Sequence, residues 1–94
     1  MSKLDQIATK IIKEQELIIG PIAWQEAGEV KGIHIIDQKT GAVTIDNGDS
    51  KIVVDNLVGK YEHLFGRASR EVCREAVASL VADLSPSEVP SSLK

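Results

Sequence analysis

The spacing of apolar positions predicts two helices at the start of the chain. Between residues 4 and 19 mostly apolar side chains recur at intervals of three and four, which places them on one face of an α-helix. Gly20 and Pro21 end this pattern, because glycine tolerates the left-handed conformation found at helix ends and proline suits the first turn of a new helix. A short second helix is therefore predicted from Pro21 to about Glu29.

After residue 30 the period of the pattern changes from 3.6 to 2, which indicates β-strands. Residues 31–37 and 41–46 are short and rich in β-branched side chains, and their connection ends at Gly41, which can adopt a positive φ. The sequence thus predicts a β-hairpin. Asn47 and Gly48 provide a second turn signal directly after it.

The second half of the chain predicts two further helices on either side of Gly66. Residues 51–54 alone fit a strand or the start of a helix, but the apolar residues from Val54 to Phe65 have helical spacing. Residues 68–84 then give a regular amphipathic helix, and Gly66 fits either a kink or a tight turn. The predicted fold class is α+β: two N-terminal helices, a β-hairpin and two C-terminal helices, with a helix–Gly–helix pair on each side of the hairpin.

Length and composition predict one domain followed by a short tail. The chain has 94 residues, the size of a single small domain. After Leu84 serine and proline dominate, so residues 1–84 are predicted to form a single α+β domain and residues 85–94 a mobile C-terminal tail. Residues 16–23 also align with residues 62–69 around a shared glycine, which fits either an internal duplication or two unrelated helix–Gly–helix joints.

The charge balance and the apolar runs restrict the classes of partner. Eleven basic and fourteen acidic residues give a net charge of −3, whereas sequence-independent binding of nucleic acid needs net positive charge. The single cysteine excludes an intrachain disulfide and fits a reducing cytosol. The apolar runs are shorter than the roughly 20 residues of a membrane span. The sequence therefore predicts a cytoplasmic protein without a membrane partner, and its charge argues against nucleic acid as a partner.

The residue types that support catalysis do not occur in useful combinations. His34 and His63 have no neighbouring ligands at metal-binding spacing, and Cys73 lies on the apolar face of its helix, as a core residue would. The glycines do not form a phosphate-binding motif. We therefore expect no catalytic residue, no metal and no cofactor.

Two groups of side chains remain as candidate binding sites. The first consists of four basic residues that could contact a phosphate or an acidic partner: Lys60, Arg67, Arg70 and Arg74. Glutamates are interleaved with them, so a solvated, ion-paired helix face is the alternative interpretation. The second group is Trp24 and Tyr61, which could line an apolar ligand pocket between the helix pairs.

The predicted hairpin favours self-association. A two-stranded hairpin is marginal in water and leaves two open edges, and pairing an edge with a second copy would give a four-stranded sheet with twofold symmetry. The leading hypothesis is a non-enzymatic cytosolic module for protein–protein interaction or regulation, acting as a homodimer. The alternative is a small-ligand sensor that uses the Trp24 and Tyr61 pocket, and a third hypothesis is local nucleic-acid binding by the arginines between residues 67 and 74.

One short string carries a resemblance. Residues 16–23, Glu-Leu-Ile-Ile-Gly-Pro-Ile-Ala, resemble the "IGPIA" element of small helical domains found in bacterial signalling and regulatory proteins. The resemblance covers eight of the 94 residues, and this chain continues with a hairpin where those domains continue with helices. It implies a regulatory interaction module and transfers no functional residue.

Overall fold

The computed structural model describes residues 3–46 and 50–94, and it confirms the α+β class and the predicted order of elements. The described helices and strands are α1 (Lys3–Ile19), α2 (Ile22–Gly28), β1 (Ile33–Asp37), β2 (Ala42–Ile45), α3 (Ser50–Phe65) and α4 (Arg67–Val81). Two short 3₁₀ turns follow, at Pro86–Glu88 and Ser91–Leu93. The turn predicted at Asn47 and Gly48 lies outside the described residues.

Helix α1 lies at the centre of the core. Its apolar face is fully buried at Ile7, Ala8, Ile11 and Ile12, as the spacing predicts. Helix α4 packs along α1 in the antiparallel direction, because Lys3 at the start of α1 contacts Asp83 just beyond α4, whereas the C-terminal half of α1 meets the start of α4. The hairpin packs against another side of α1.

The hairpin is antiparallel and is held to α1 by side chains of that helix. Ile33 pairs with Ile45, and the register becomes irregular between Ile35 and Asp37. The backbone N–H of Ile45 donates to Asp5 Oδ1 at 2.9 Å, and Thr9 Oγ1 donates to Gly41 O at 3.0 Å. The prediction of two open edges is therefore wrong for β2, since α1 covers its outer edge.

The two ambiguous segments of the second half are resolved. Residues 51–54 are helical and belong to α3, with Val53 and Val54 buried in the core. Gly66 is a turn rather than a kink, because its φ of 95° and ψ of 174° break the helix between Phe65 and Arg67.

The joints at Gly20 and Gly66 share a positive φ and a pattern of backbone hydrogen bonds. Both glycines have positive φ (82° and 95°), and each donates its N–H to the carbonyl four residues earlier at 2.9 Å. Each glycine carbonyl also accepts the N–H of the third residue after it, Ala23 or Ser69, at 3.0 or 3.1 Å. The likeness stops there, because α2 has 7 residues and α4 has 15. The aligned strings therefore describe equivalent joints rather than equivalent helix pairs.

Residues 85–94 differ from the predicted mobile tail. Pro90 and Leu93 are buried, and the segment around them packs between α3 and α4. The folded unit therefore continues beyond Leu84. Composition alone does not indicate this packing, because it depends on one proline and one leucine that dock between two helices.

Two glycines of different backbone geometry give a matched stability test. An alanine at Gly41 would need a positive φ (78° here) and would clash with the Lys13 side chain, whereas an alanine at Gly59, inside α3, meets open space. We expect Gly41→Ala to lower the free energy of unfolding by about 1–2 kcal/mol. Gly59→Ala should raise it by about 0.5–1 kcal/mol. Urea denaturation measures both, and a neutral Gly41→Ala would contradict the described turn.

Candidate functional site

Both glycine joints lie at the same end of the molecule. Gln15, near the end of α1, donates its Nε2 to Ser69 O near the start of α4 at 3.1 Å, which brings the end of α1 to the start of α4. Tyr61, near the end of α3, donates its hydroxyl to Ala23 O in α2 at 2.7 Å. The end of α1, the start of α2, the end of α3 and the start of α4 therefore meet at one pole.

Exposed apolar side chains concentrate at this pole. Among the residues that the structure describes, seven large apolar side chains are exposed, and five of them flank the two joints. We call these five the joint-end surface: Leu17, Ile18, Ile22, Leu64 and Phe65, with exposed fractions between 40% and 80%. Exposed apolar residues are ordinary when scattered, but their concentration in one region is typical of interaction sites.

Helix geometry explains why part of this surface is left uncovered. Ile18 continues the apolar stripe of α1, but it lies three residues beyond Gln15, about 4.5 Å further along the helix axis. Helix α4 begins only two residues before Ser69, the residue that Gln15 contacts, so α1 extends past the end of its neighbour. Ile18 is consequently 62% exposed although it has the position of a core residue.

An open groove lies beside the Gly66 joint and contains three of the four predicted basic residues. Its volume is about 530 Å³, and five charged side chains line it. We call it the arginine groove: Glu62 of α3 with Arg67, Arg70, Glu71 and Arg74 of α4. The three arginines of α4 thus line the same groove.

Ion pairing in the arginine groove is partial. Arg74 Nη1 lies 3.3 Å from Glu71 Oε1, and Arg70 Nε donates to the backbone carbonyl of Ser92 at 3.3 Å. Arg67 is exposed at the first position of α4. With three arginines against two glutamates, the groove keeps a local excess of positive charge in an acidic chain, which suits an acidic partner group.

Lys60 does not belong to this group. Its Nζ lies 3.1 Å from Glu29 Oε1 and 3.6 Å from Glu26 Oε2, so it joins α3 to α2. The hydrogen bond to Glu29 raises the pKa of Lys60 above its ordinary value. The sequence groups it with the arginines because a lysine six residues before Gly66 gives no sign of a partner 31 positions away in the chain.

Trp24 and Tyr61 are core residues and not walls of an open pocket. Trp24 is 3% exposed and Tyr61 is fully buried. Burial raises the pKa of Tyr61 well above its usual range, and its hydroxyl is already used by Ala23 O. Both aromatic rings are therefore taken up by packing, and the structure does not support the pocket that the sequence predicts at these residues.

A buried polar contact joins α1 to α4 below the joint-end surface. Gln15 is fully buried, and its Nε2 donates to Ser69 O and lies 3.4 Å from Cys73 Sγ. Burial raises the pKa of the Cys73 thiol from 9.0 to about 11, which keeps it protonated at neutral pH. Cys73 is buried in the core, as predicted, while the role of Gln15 had only one sequence signal, its place in an apolar stripe.

Neither histidine takes part in a cluster of ligands. His34 is exposed on β1, with its Nε2 at 2.7 Å from Asp46 Oδ1, and His63 is exposed near the end of α3. In residues 3–46 and 50–94 the side chains of His, Cys, Asp and Glu do not form a group of three or more that could hold a metal ion.

No protein-family model, characterised protein or solved structure matches this chain. The likeness of residues 16–23 to the "IGPIA" element therefore stays a prediction. Within the described residues, no helix combines the length and the apolar character that crossing a bilayer requires.

The pH dependence of stability tests the buried thiol. Because the pKa of Cys73 is higher in the folded state than in the unfolded state, its contribution is complete below about pH 9 and is lost as the pH rises towards about 11. Between about pH 8 and about pH 10.5, the wild-type chain should lose on the order of 1–2 kcal/mol more free energy of unfolding than Cys73→Ala. Urea denaturation at both pH values measures this difference, and equal losses would contradict the burial.

Proposed function

We propose that this chain is a non-enzymatic, cytoplasmic module for regulatory protein–protein interaction, and that it assembles as a homodimer through the joint-end surface. The observation that carries the proposal is the position of the exposed apolar side chains, five of the seven in the described residues, around two joints at one pole. Covering them with a second copy removes this apolar area from water, which favours association.

The charges around the joint-end surface support a second copy of the chain as the occupant. The last turn of α1 contains Glu16 and no basic residue, although negative charge is unfavourable at the C-terminal end of a helix. Across the pole, α4 begins with Arg67, and the arginine groove follows. In a twofold contact the acidic end of α1 in one copy meets the basic start of α4 in the other, twice.

The hairpin is a poorer dimer surface than the sequence predicts. Helix α1 covers β2, and the N–H of Ile33 on β1 already donates to Val30 O at 3.2 Å. The register of the hairpin is also irregular between Ile35 and Asp37, and irregularities of this kind discourage pairing between edges. We therefore assign the dimer contact to the joint-end surface.

The first test compares two exposed apolar residues at different places in the fold. Phe65→Ser removes an aromatic side chain from the joint-end surface. Ile52→Ser removes an isoleucine side chain that is 56% exposed near the start of α3, away from that surface. Size-exclusion chromatography with light scattering should give about twice the 10.2 kDa chain mass for the wild type. We expect Phe65→Ser to raise the dimer dissociation constant at least about tenfold and Ile52→Ser to leave it unchanged.

A monomeric wild type over the whole concentration range would overturn the homodimer. A dimer that survives Phe65→Ser and Ile18→Ser, but is lost with Ile36→Lys on the hairpin, would move the contact to β1. Circular dichroism of each variant verifies that the fold is retained.

A charge exchange tests the polarity of the contact. Glu16→Arg and Arg67→Glu should each weaken the homodimer at least about tenfold, because each places like charges across the interface twice. An equimolar mixture of the two variants should form a heterodimer, since both reciprocal contacts then join opposite charges. Mixing one variant with the wild type restores only one of the two contacts and serves as the control. Failure of the mixture to associate would contradict the pairing of α1 with α4.

A further inference from the structure

A second groove, between α3 and α4, holds residues 90–93 in the manner of a bound peptide. Ser92 is fixed through its backbone: its N–H donates to Asp55 Oδ1 at 2.9 Å, and its carbonyl accepts from Arg70 Nε at 3.3 Å. Its hydroxyl adds a third bond, to Asp55 Oδ1 at 2.6 Å. Helix α3 thus supplies the hydrogen-bond acceptor, Asp55, and α4 supplies the donor, Arg70. We call this site the tail groove.

Two apolar anchors flank the hydrogen-bonded serine. Pro90 is fully buried and Leu93 is 6% exposed, whereas Ser91 and Lys94 are exposed. The bound segment therefore has the pattern proline, any residue, serine, leucine. Backbone hydrogen bonds that fix position, combined with pockets for selected side chains, are how proteins recognise short peptides.

Residues 85–88 are held by hydrogen bonds within the segment and by Lys51 of α3, outside the tail groove. Ser85 donates its N–H and its hydroxyl to Glu88 Oε1 at 3.1 and 2.7 Å, which closes a local capping box and lowers the pKa of Glu88. Lys51 Nζ then donates to Ser87 O at 2.7 Å. The part of the chain that fills the tail groove is thus limited to residues 90–93, a length that another protein could also present.

We infer that the tail groove is a binding site for a protein segment of the type Pro-Ser-Ser-Leu, filled in cis by the chain's own residues 90–93. The occupant we assign is a partner protein that presents such a segment and displaces the cis segment. Asp55 and Arg70 recognise the backbone around the serine, and the proline and leucine fill the apolar parts of the groove. This site contains none of the residues of the joint-end surface and shares only Arg70 with the arginine groove.

The test uses the full chain and a free peptide. The probe is residues 86–94 with an acetylated start and an amidated end, added to ¹⁵N-labelled protein. Because the cis segment competes at a millimolar effective concentration, the wild type should bind the probe weakly. Leu93→Ala weakens the binding of the cis segment and leaves the residues of the groove unchanged. The apparent dissociation constant of this variant for the probe should therefore be at least about tenfold lower than that of the wild type.

Controls locate the binding. The amide signals of Asp55 and its neighbours and the Arg70 Nε–H signal should shift in Leu93→Ala, and a probe with alanine in place of its leucine should leave them unchanged. Asp55→Ala added to Leu93→Ala should abolish binding. Ser92→Ala, which loses one hydrogen bond and keeps both anchors, replaces Leu93→Ala if the latter does not fold.

Three results would overturn the inference. The first is the absence of shifts in both tail variants at millimolar probe, and the second is equal binding of the intact and the alanine probe. The third is exchange of residues 90–93 between two copies without any peptide, detected between differently labelled chains, which would make the second copy the occupant in place of a partner protein.

Discussion

The buried face of α1 is the constraint on which the other elements depend. A two-stranded hairpin has little stability of its own. Here Asp5 and Thr9 of α1 make hydrogen bonds to the hairpin backbone, and the strands pack against the helix. The same helix supports α4 along its length. Ile11 and Ile12 are fully buried at the middle of α1, so substitutions that change their volume would disturb the core that the hairpin and α4 share.

The order and type of the elements could be predicted because they rest on local signals. Period 3.6 and period 2 separate the helices from the strands, and Gly20, Gly41 and Gly66 mark three of the four places in the described residues where the backbone has a positive φ. Cys73 could be assigned to the core from its position in an apolar stripe. Each of these inferences uses residues within one or two turns of one another, where spacing determines which side chains share a face.

The errors concern contacts between residues far apart in the sequence. Asp55 and Ser92 are 37 positions apart, and Lys60 and Glu29 are 31 positions apart, and spacing contains no information about such pairs. Trp24 and Tyr61 were assigned to a pocket because large aromatic rings suit ligand sites, but the same property makes them effective core residues. In the candidate site, the arginines could be predicted as a group, whereas the apolar surface beside them required knowing where each helix ends.

The buried Gln15 amide also affects how α1 and α4 are aligned along their axes. Apolar side chains tolerate sliding, since one methyl group can replace another at little cost, but the Gln15 amide contacts two particular atoms of α4, Ser69 O at 3.1 Å and Cys73 Sγ at 3.4 Å. Sliding α4 by a single turn, about 5.4 Å, would break both of these buried contacts. Within the described residues its Oε1 already has no hydrogen-bond partner, so further loss would be costly. One polar side chain thereby favours the observed register over others that the apolar surfaces alone would permit.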